Sequence, residues 1–495
     1  MELKMICNGD CCETLPEDLS CQIVEEESCS GIDFDCCTLD LDAMRPNRAA
    51  CKIAADPQLL LKKIDTVQRI GIVGERRNIG TCQLVIDSRL LPIMGRSPES
   101  LALKNSGHQG AGKSATLSCS LKLYPSTAYH MISSGSAKSL YYMDDCLSHK
   151  AIIIAEGHDL ECRKGQDTPF IYSLRTLYSE GQVTYQVTES IGRRRVTVTR
   201  TVNGPISLIT TTIREKLEEQ MDDRMITIHP DTSSEQTSRI IRQVFNAAAG
   251  NTVEVDPNQI EAWQMFHDML EPIEVFVPFA DAVGDGIASI SNLPLSARRG
   301  SPRMLSVIKT IAILYQAQRQ RDDKGRLIAE MADYAMAHQL LEVPFVESLG
   351  ETSRFTDERI QFVAAKGVAT QRMISEAFNI SRPAVSKWLT PLVEKGVLAW
   401  CDAQGRPFVD ERTARTAKHS GAACLKVTAQ RTLPTPFEVS GDPSWAEGGD
   451  LFKLYDLHLD DTDYQINRED TLGSSLFTEN CDAAEVIMMQ TDEAH

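Results

Sequence analysis

The chain has 495 residues, 42% of them apolar, and a formal net charge of −18. This length allows about three domains, the apolar share is enough for packed cores, and no apolar run approaches the ~18 residues that a membrane span needs. The opening MELKMICNGD has no basic flank leading into an apolar stretch, so no signal peptide is expected and the cytoplasm, away from any membrane, is the expected compartment.

The charge is unevenly spread. Residues 1–44 hold 12 acidic residues against 1 basic, and 440–495 hold 14 against 2, which leaves 43 acidic and 48 basic residues, a net +5, in 45–439. The flanking segments 1–55 and 416–495 read as acidic tails, solvated and largely disordered. Nucleic acid is therefore not excluded as a partner of the body. Eight of the 15 cysteines fall in the first 51 residues, two pairs of them adjacent (Cys11-Cys12 and Cys36-Cys37) and none near a histidine. Zinc sites favour CxxC-type spacing, so reduced, unligated cysteines are expected, with a metal site as the alternative.

From Asp56 to Pro92 apolar residues recur at three- and four-residue spacing (Leu59, Leu60, Ile64, Val67, Ile70), which predicts helix. A short apolar strand at Leu101-Ala102-Leu103 then runs into Gly107-His108-Gln109-Gly110-Ala111-Gly112-Lys113-Ser114, a full match to G-x-x-x-x-G-K-[ST], the P-loop pattern. Glycines let backbone N–H groups close on phosphate oxygens, Lys113 reaches the β- and γ-phosphates, and Ser114 offers its hydroxyl to the Mg²⁺ of a bound ATP. The helix from Lys113 to about Leu123 turns its positive end to the phosphates. A second strand, Ala151–Ala155, ends in Glu156, the candidate to orient or deprotonate the attacking water and to support the metal through water. Ala155 departs from the Asp often found beside such a glutamate, and Asp159 is the next candidate. Strands and helices alternate to about Arg242, so an α/β domain is expected over 56–250.

Within it, 181–202 reads as two alternating strands joined at Gly192-Arg193-Arg194-Arg195. Three adjacent arginines suit a sequence-independent grip on phosphates, though a solvated turn is the plainer alternative. A third apolar strand, Ile206–Ile209, leads into Thr210-Thr211-Thr212, and Arg224 precedes another. An arginine there can stabilise transition-state charge in a neighbouring subunit's site; the plainer reading pairs it with Asp223.

Residues 251–350 read as a helical domain and 351–415 as a winged helix-turn-helix. Thr370–Ile380 forms a short helix and Ser381–Lys395 a second, with Ser381 as cap and Val385, Leu389 and Leu392 turned to a core, leaving Arg382, Ser386 and Lys387 exposed to a DNA groove. A strand at 397–400, a turn at Ala403-Gln404-Gly405 and Pro407–Val409 complete the expected wing. Such modules also dock proteins, so both kinds of partner stay open.

Residues from about Asp56 to Gln320 resemble the AAA+-type P-loop ATPase module of DNA primase/helicase-like replication proteins of bacterial mobile elements. The resemblance rests on the P-loop and on shorter stretches in order: Leu140–Met143, His149-Lys150 with the acid-tipped strand, Leu174–Gly181, Ile209–Thr212, Glu235–Thr237, and Ala297–Arg299 leading into Ile308–Arg319. It implies an ATP- and Mg²⁺-dependent motor on single- or double-stranded DNA, helicase-like, assembling as a homo-oligomer such as a hexameric ring with replication proteins as further partners. It also implies that Thr211 contacts the γ-phosphate or the water, and that the Arg193–Arg195 hairpin tracks DNA as in minichromosome-maintenance-like helicases. The zinc finger and toprim domain that often stand upstream have no room here, so primer synthesis is not expected. An ATP-gated transcription regulator and an ATP-dependent loader are the competing functions.

Overall fold

The computed structural model describes residues 41–94, 97–132, 139–143, 146–154, 169–191, 194–213, 217, 219–250, 255–290, 293, 297–348, 358–394, 398–408, 410–427 and 433–459. The sheets and the helices packed on them belong to the unit 45–495; Cys7 to Cys37 lie outside the described residues.

Five strands form one all-parallel sheet: β1 (Ala102–Ser106), β2 (Tyr129–Ile132), β3 (Lys150–Ile154), β6 (Ile206–Thr212) and β7 (Ile226–Ile228), in the spatial order β2-β3-β6-β1-β7. An antiparallel hairpin, β4 (Gln182–Ile191) with β5 (Arg194–Asn203), forms a separate two-stranded sheet. β1 and β6 are buried at every position, as strands are when both faces of a parallel sheet are covered. Period-two alternation decides which cover each residue meets. Leu103, Ile153 and Ile209 join the large core shared with helices Leu59–Gly71, Arg76–Asp87, Pro257–Asp268, Ala297–Leu314 and Met331–Ser348. Ala102, Ile152 and Leu208 pack on the other face, against Phe170, Ile171 and Leu174 of helix Pro169–Glu180.

Between 257 and 348 the described residues form helices Pro257–Asp268, Ala280–Ala288, Ala297–Leu314 and Met331–Ser348 with a small parallel pair, Val275–Phe276 with Leu327–Ile328. Helix Ser234–Ala248 stands out by exposure: Ile240, Ile241, Val244 and Phe245 all face solvent, Phe245 at 71%.

Two expectations are corrected. Part of the C-terminal acidic segment is ordered against the large core. Leu433, Trp445 and Leu457 are buried there, Tyr334 donates to the Pro434 carbonyl at 2.5 Å, and Arg76 donates to the Leu457 carbonyl at 3.1 Å. Three well-spaced apolar anchors hold a strap that net charge alone reads as solvated. The wing differs as well. β8 (Ala369–Thr370), β9 (Leu398–Cys401) and β10 (Cys424–Val427) form a three-stranded sheet in the order β8-β10-β9. The strand returning antiparallel to β9 is thus β10, not Pro407–Val409. Pro407 makes a single isolated bridge to Cys401, and a helix, Glu411–Ser420, fills the connection. Proline at 407 lacks the N–H that a continued ladder needs, and Asp410 starts the helix by accepting the Thr413 N–H at 2.7 Å. The module around Ile360, Val385, Leu389 and Leu425 therefore has its own core and runs past residue 415.

Candidate nucleotide site and charged faces

Because the five strands are parallel, their carboxyl ends share one edge of the sheet. β1 lies between β6 and β7, neither of which is its neighbour in the chain. Open α/β sheets bind ligands at such points, outside the carboxyl ends of the strands. Gly107–Ser114 leaves β1 there, tied at its root by the Gly107 N–H, which donates to the Thr212 carbonyl at 3.2 Å. Gly110 and Gly112 hold φ of +82° and +87°, the left-handed region that a side chain disfavours. Helix Lys113–Leu121 follows with no side chain capping its first turn, so its leading N–H groups stay available to an anion.

Lys113 is buried. Its ammonium donates to the carbonyls of Gly107 and His108, both at 2.7 Å, and among the described residues no carboxylate reaches it. Burial pulls its pKa below the usual lysine range. Ser114 next to it is exposed, as are His108, Gln109, Gly110 and Gly112, while Ala111 is half-buried. The loop thus presents backbone, one poised cation and one free-facing hydroxyl.

The chain matches no protein-family model and no curated relative.

Thr211 is buried in β6 in register with Asn105 of β1, and the Asn105 Oδ1 is a buried acceptor without a donor among the described residues. Sequence reading missed Asn105, and it missed the group beyond β7. There His229 donates through Nδ1 to the Ser106 carbonyl at 2.9 Å. Asn78 donates to the His229 carbonyl at 2.8 Å. Glu75, in the left-handed region at φ +58°, accepts the Asp231 N–H at 2.7 Å. Burial raises the Glu75 pKa, against the Asp231 and Asn78 hydrogen bonds that lower it. A glycine pattern gave the loop away, whereas this group is assembled by the pairing of β7 with β1 and leaves no local signal. Glu156 and Asp159 lie outside the described residues.

Arg224 precedes β7 and so stands at the amino edge of the sheet, opposite the loop. It does not pair with Asp223. Asp223 pairs with Arg299, and its carbonyl accepts from Arg303. Asp222 is taken by buried Lys104 of β1 at 2.5 Å. The Arg224 guanidinium is left on the Gln220 carbonyl of its own helical turn.

Register corrects the hairpin too. Ile191 pairs with Arg194 and Ser190 with Arg195, so two of the three arginines belong to β5. Arg195 is exposed, and Arg193 lies outside the described residues. At the hairpin's base Tyr185 stacks on Tyr141 with centroids 4.9 Å apart, and Arg200 lies 4.2 Å over the Tyr142 ring. In the C-terminal module, helix Arg382–Glu394 buries Val385, Leu389 and Leu392 and exposes Arg382, Ser386 and Lys387. Ser381 caps it, accepting the Ala384 N–H at 3.4 Å.

Proposed function

We propose that this chain is an ATP-hydrolysing motor, helicase-like, that acts on DNA as a homo-oligomer. The observation that carries the reading is the Gly107–Ser114 loop at the carboxyl edge of the parallel sheet, with a buried lysine held, among the described residues, by two carbonyls. A phosphate is the ligand such a lysine and an uncapped helix start suit. On this reading Lys113 grips the β- and γ-phosphates, Ser114 would hold Mg²⁺, Thr211 and Asn105 face the γ-phosphate end, and Glu156 orients the water. Bound Mg²⁺ would supply charge neutralisation at the phosphates.

Assembly is supported by two features. Arg224 stands at the edge away from its own loop, so it serves a neighbour's site. The uncovered Ile240, Ile241, Val244 and Phe245 offer apolar surface to another copy. DNA as the partner is supported by charge. Residues 358–427 hold eleven basic and six acidic residues, a net +5, while 45–357 hold 36 of each. The positive excess of the body thus sits in the module that presents Arg382 and Lys387. The resemblance to primase/helicase-like replication proteins points to replication of a mobile element as the setting.

ATPase rate with and without single-stranded DNA, on a sample whose mass is measured, tests the reading. The expected result is an assembly whose hydrolysis rises with DNA. Arg224→Ala is expected to bind ATP yet hydrolyse it about 10³–10⁵ times more slowly, and mixing it with Lys113→Ala to restore part of the rate. A full rate in a strictly monomeric sample, or a rate indifferent to DNA, overturns it.

A further inference from the structure

The helix Glu411–Ser420, which stands in place of the expected wing, is built almost without apolar residues. Among its described side chains, Ala414 and Ala417 are half-buried, and Arg412, Arg415 and Lys418 are exposed, as are Thr413, Thr416 and Ser420. At 3.6 residues per turn, positions 412, 415 and 418 fall on one stripe about 120° wide. Two alanines give little burial to hold a helix, so its ends are fixed by caps. Asp410 accepts the Thr413 N–H at 2.7 Å, and Gly421 stops it in the left-handed region at φ +74°. Lys418 seats the stripe on the module's sheet, its ammonium 4.9 Å from the centroid of the Trp400 ring in β9. The result is a capped, exposed, basic helix in the part of the body that carries its whole positive excess.

We propose that Glu411–Ser420 grips the sugar–phosphate backbone of duplex DNA through Arg412, Arg415 and Lys418. The same duplex is the one engaged by helix Arg382–Glu394, and the proposal rests on the DNA-acting function proposed for the chain. Duplex is the form that a helix-turn-helix engages. Long cations flanked by small hydroxyls suit phosphates, whose contacts position a protein without reading sequence. Each phosphate neutralised releases counterions, so each contact adds about 0.9 to the slope of log affinity against log salt.

The test is binding of the full chain to duplexes about three helical turns long and of unrelated sequence, between about 50 and 200 mM salt. Arg412→Gln/Arg415→Gln/Lys418→Gln is expected to lower the slope by about 2–3 on every duplex alike. Arg412→Lys/Arg415→Lys is expected to keep the slope, which separates charge from folding. Arg382→Ala/Lys387→Ala is expected to weaken binding independently. An unchanged slope in the glutamine variant, while wild type binds and Arg382→Ala/Lys387→Ala weakens, overturns this inference and leaves the DNA reading standing. A loss confined to one sequence overturns the backbone grip in favour of base contacts. No duplex binding by wild type removes both.

Discussion

Of the three lysines buried around the parallel sheet, Lys63, Lys104 and Lys113, the first and the last are treated differently. Lys63, on helix Leu59–Gly71, is fully buried. It donates to the Asp87 carboxylate at 2.6 Å and to the Tyr124 hydroxyl at 2.9 Å. Burial lowers its pKa, and Asp87 offsets part of that. Lys113 is buried as well, but only carbonyls receive its protons, and burial lowers its pKa without an opposing carboxylate. Lys63 is matched within the fold. Lys113 is held in place with its charge unanswered, the state expected of a residue waiting for an anionic ligand.

The larger loss of stability is expected at Lys63. Lys63→Met removes one partner of a buried pair and strands Asp87, at a cost of about 3–5 kcal/mol, measured by denaturant unfolding. Lys113→Met strands no charge, so its ligand-free stability is expected to stay at or above wild type. If the two variants lose stability equally, Lys113 is a structural cation and the contrast fails.

Ligand separates the two lysines further. Mg²⁺ and ATP at about a hundred times the dissociation constant stabilise a binding protein by about 2.7 kcal/mol. Wild type is expected to show that gain in thermal melts, and Lys113→Met to lose it. Gly112→Ala probes the loop rather than the cation. Nothing lies within 4 Å of the Cβ it would add, but φ is +87°, so the variant is expected to lose about 1 kcal/mol through backbone strain alone.

How far the sequence carried follows from the same contrast. Strands β1, β3, β6 and β7, the loop and helix Arg382–Glu394 were legible because each is written in adjacent residues, such as an apolar run, a glycine spacing or a serine cap, whereas β2 (Tyr129–Ile132) carries a histidine and a tyrosine and went unread. The cluster around Lys63 was not legible, since Asp87, Tyr124 and His267 reach it from three other segments. His229 reaches the Ser106 carbonyl through the pairing of β7 with β1, and Glu75 reaches Asp231 from the start of helix Arg76–Asp87. The helix Glu411–Ser420 had legible ends, Asp410 and Gly421. A turn at Ala403–Gly405 that looked like a wing tip drew the reading away from them. Composition misled at the C-terminus, where Leu433, Trp445 and Leu457 are too far apart to give a period.

The smallest effect tests the matched cluster by pH. His267 is buried against it, stacked on Tyr124 with centroids 4.1 Å apart, its Nδ1 3.6 Å from the Asp87 carboxylate. That separation is too long for a hydrogen bond. Burial holds its pKa well below the ordinary histidine value, and the charges of Lys63 and Arg89 push the same way. The imidazole is therefore neutral in the fold, while in the unfolded chain it takes a proton below about pH 6.5. The unfolded state then binds more protons, so stability rises with pH. The contribution is complete above the unfolded value and is lost as pH falls below it, at up to about 1.4 kcal/mol per pH unit. His338 and His149, whose pKa values burial also lowers, add parallel acid sensitivity, so the informative quantity is the difference between wild type and His267→Phe. Between about pH 7 and pH 5.5 wild type is expected to lose roughly 1 kcal/mol more than the variant. Parallel curves would mean that His267 is protonated in the fold and shares Asp87 with Lys63. The cluster would then carry two cations on one carboxylate, and its lysine would no longer be the matched member of the pair.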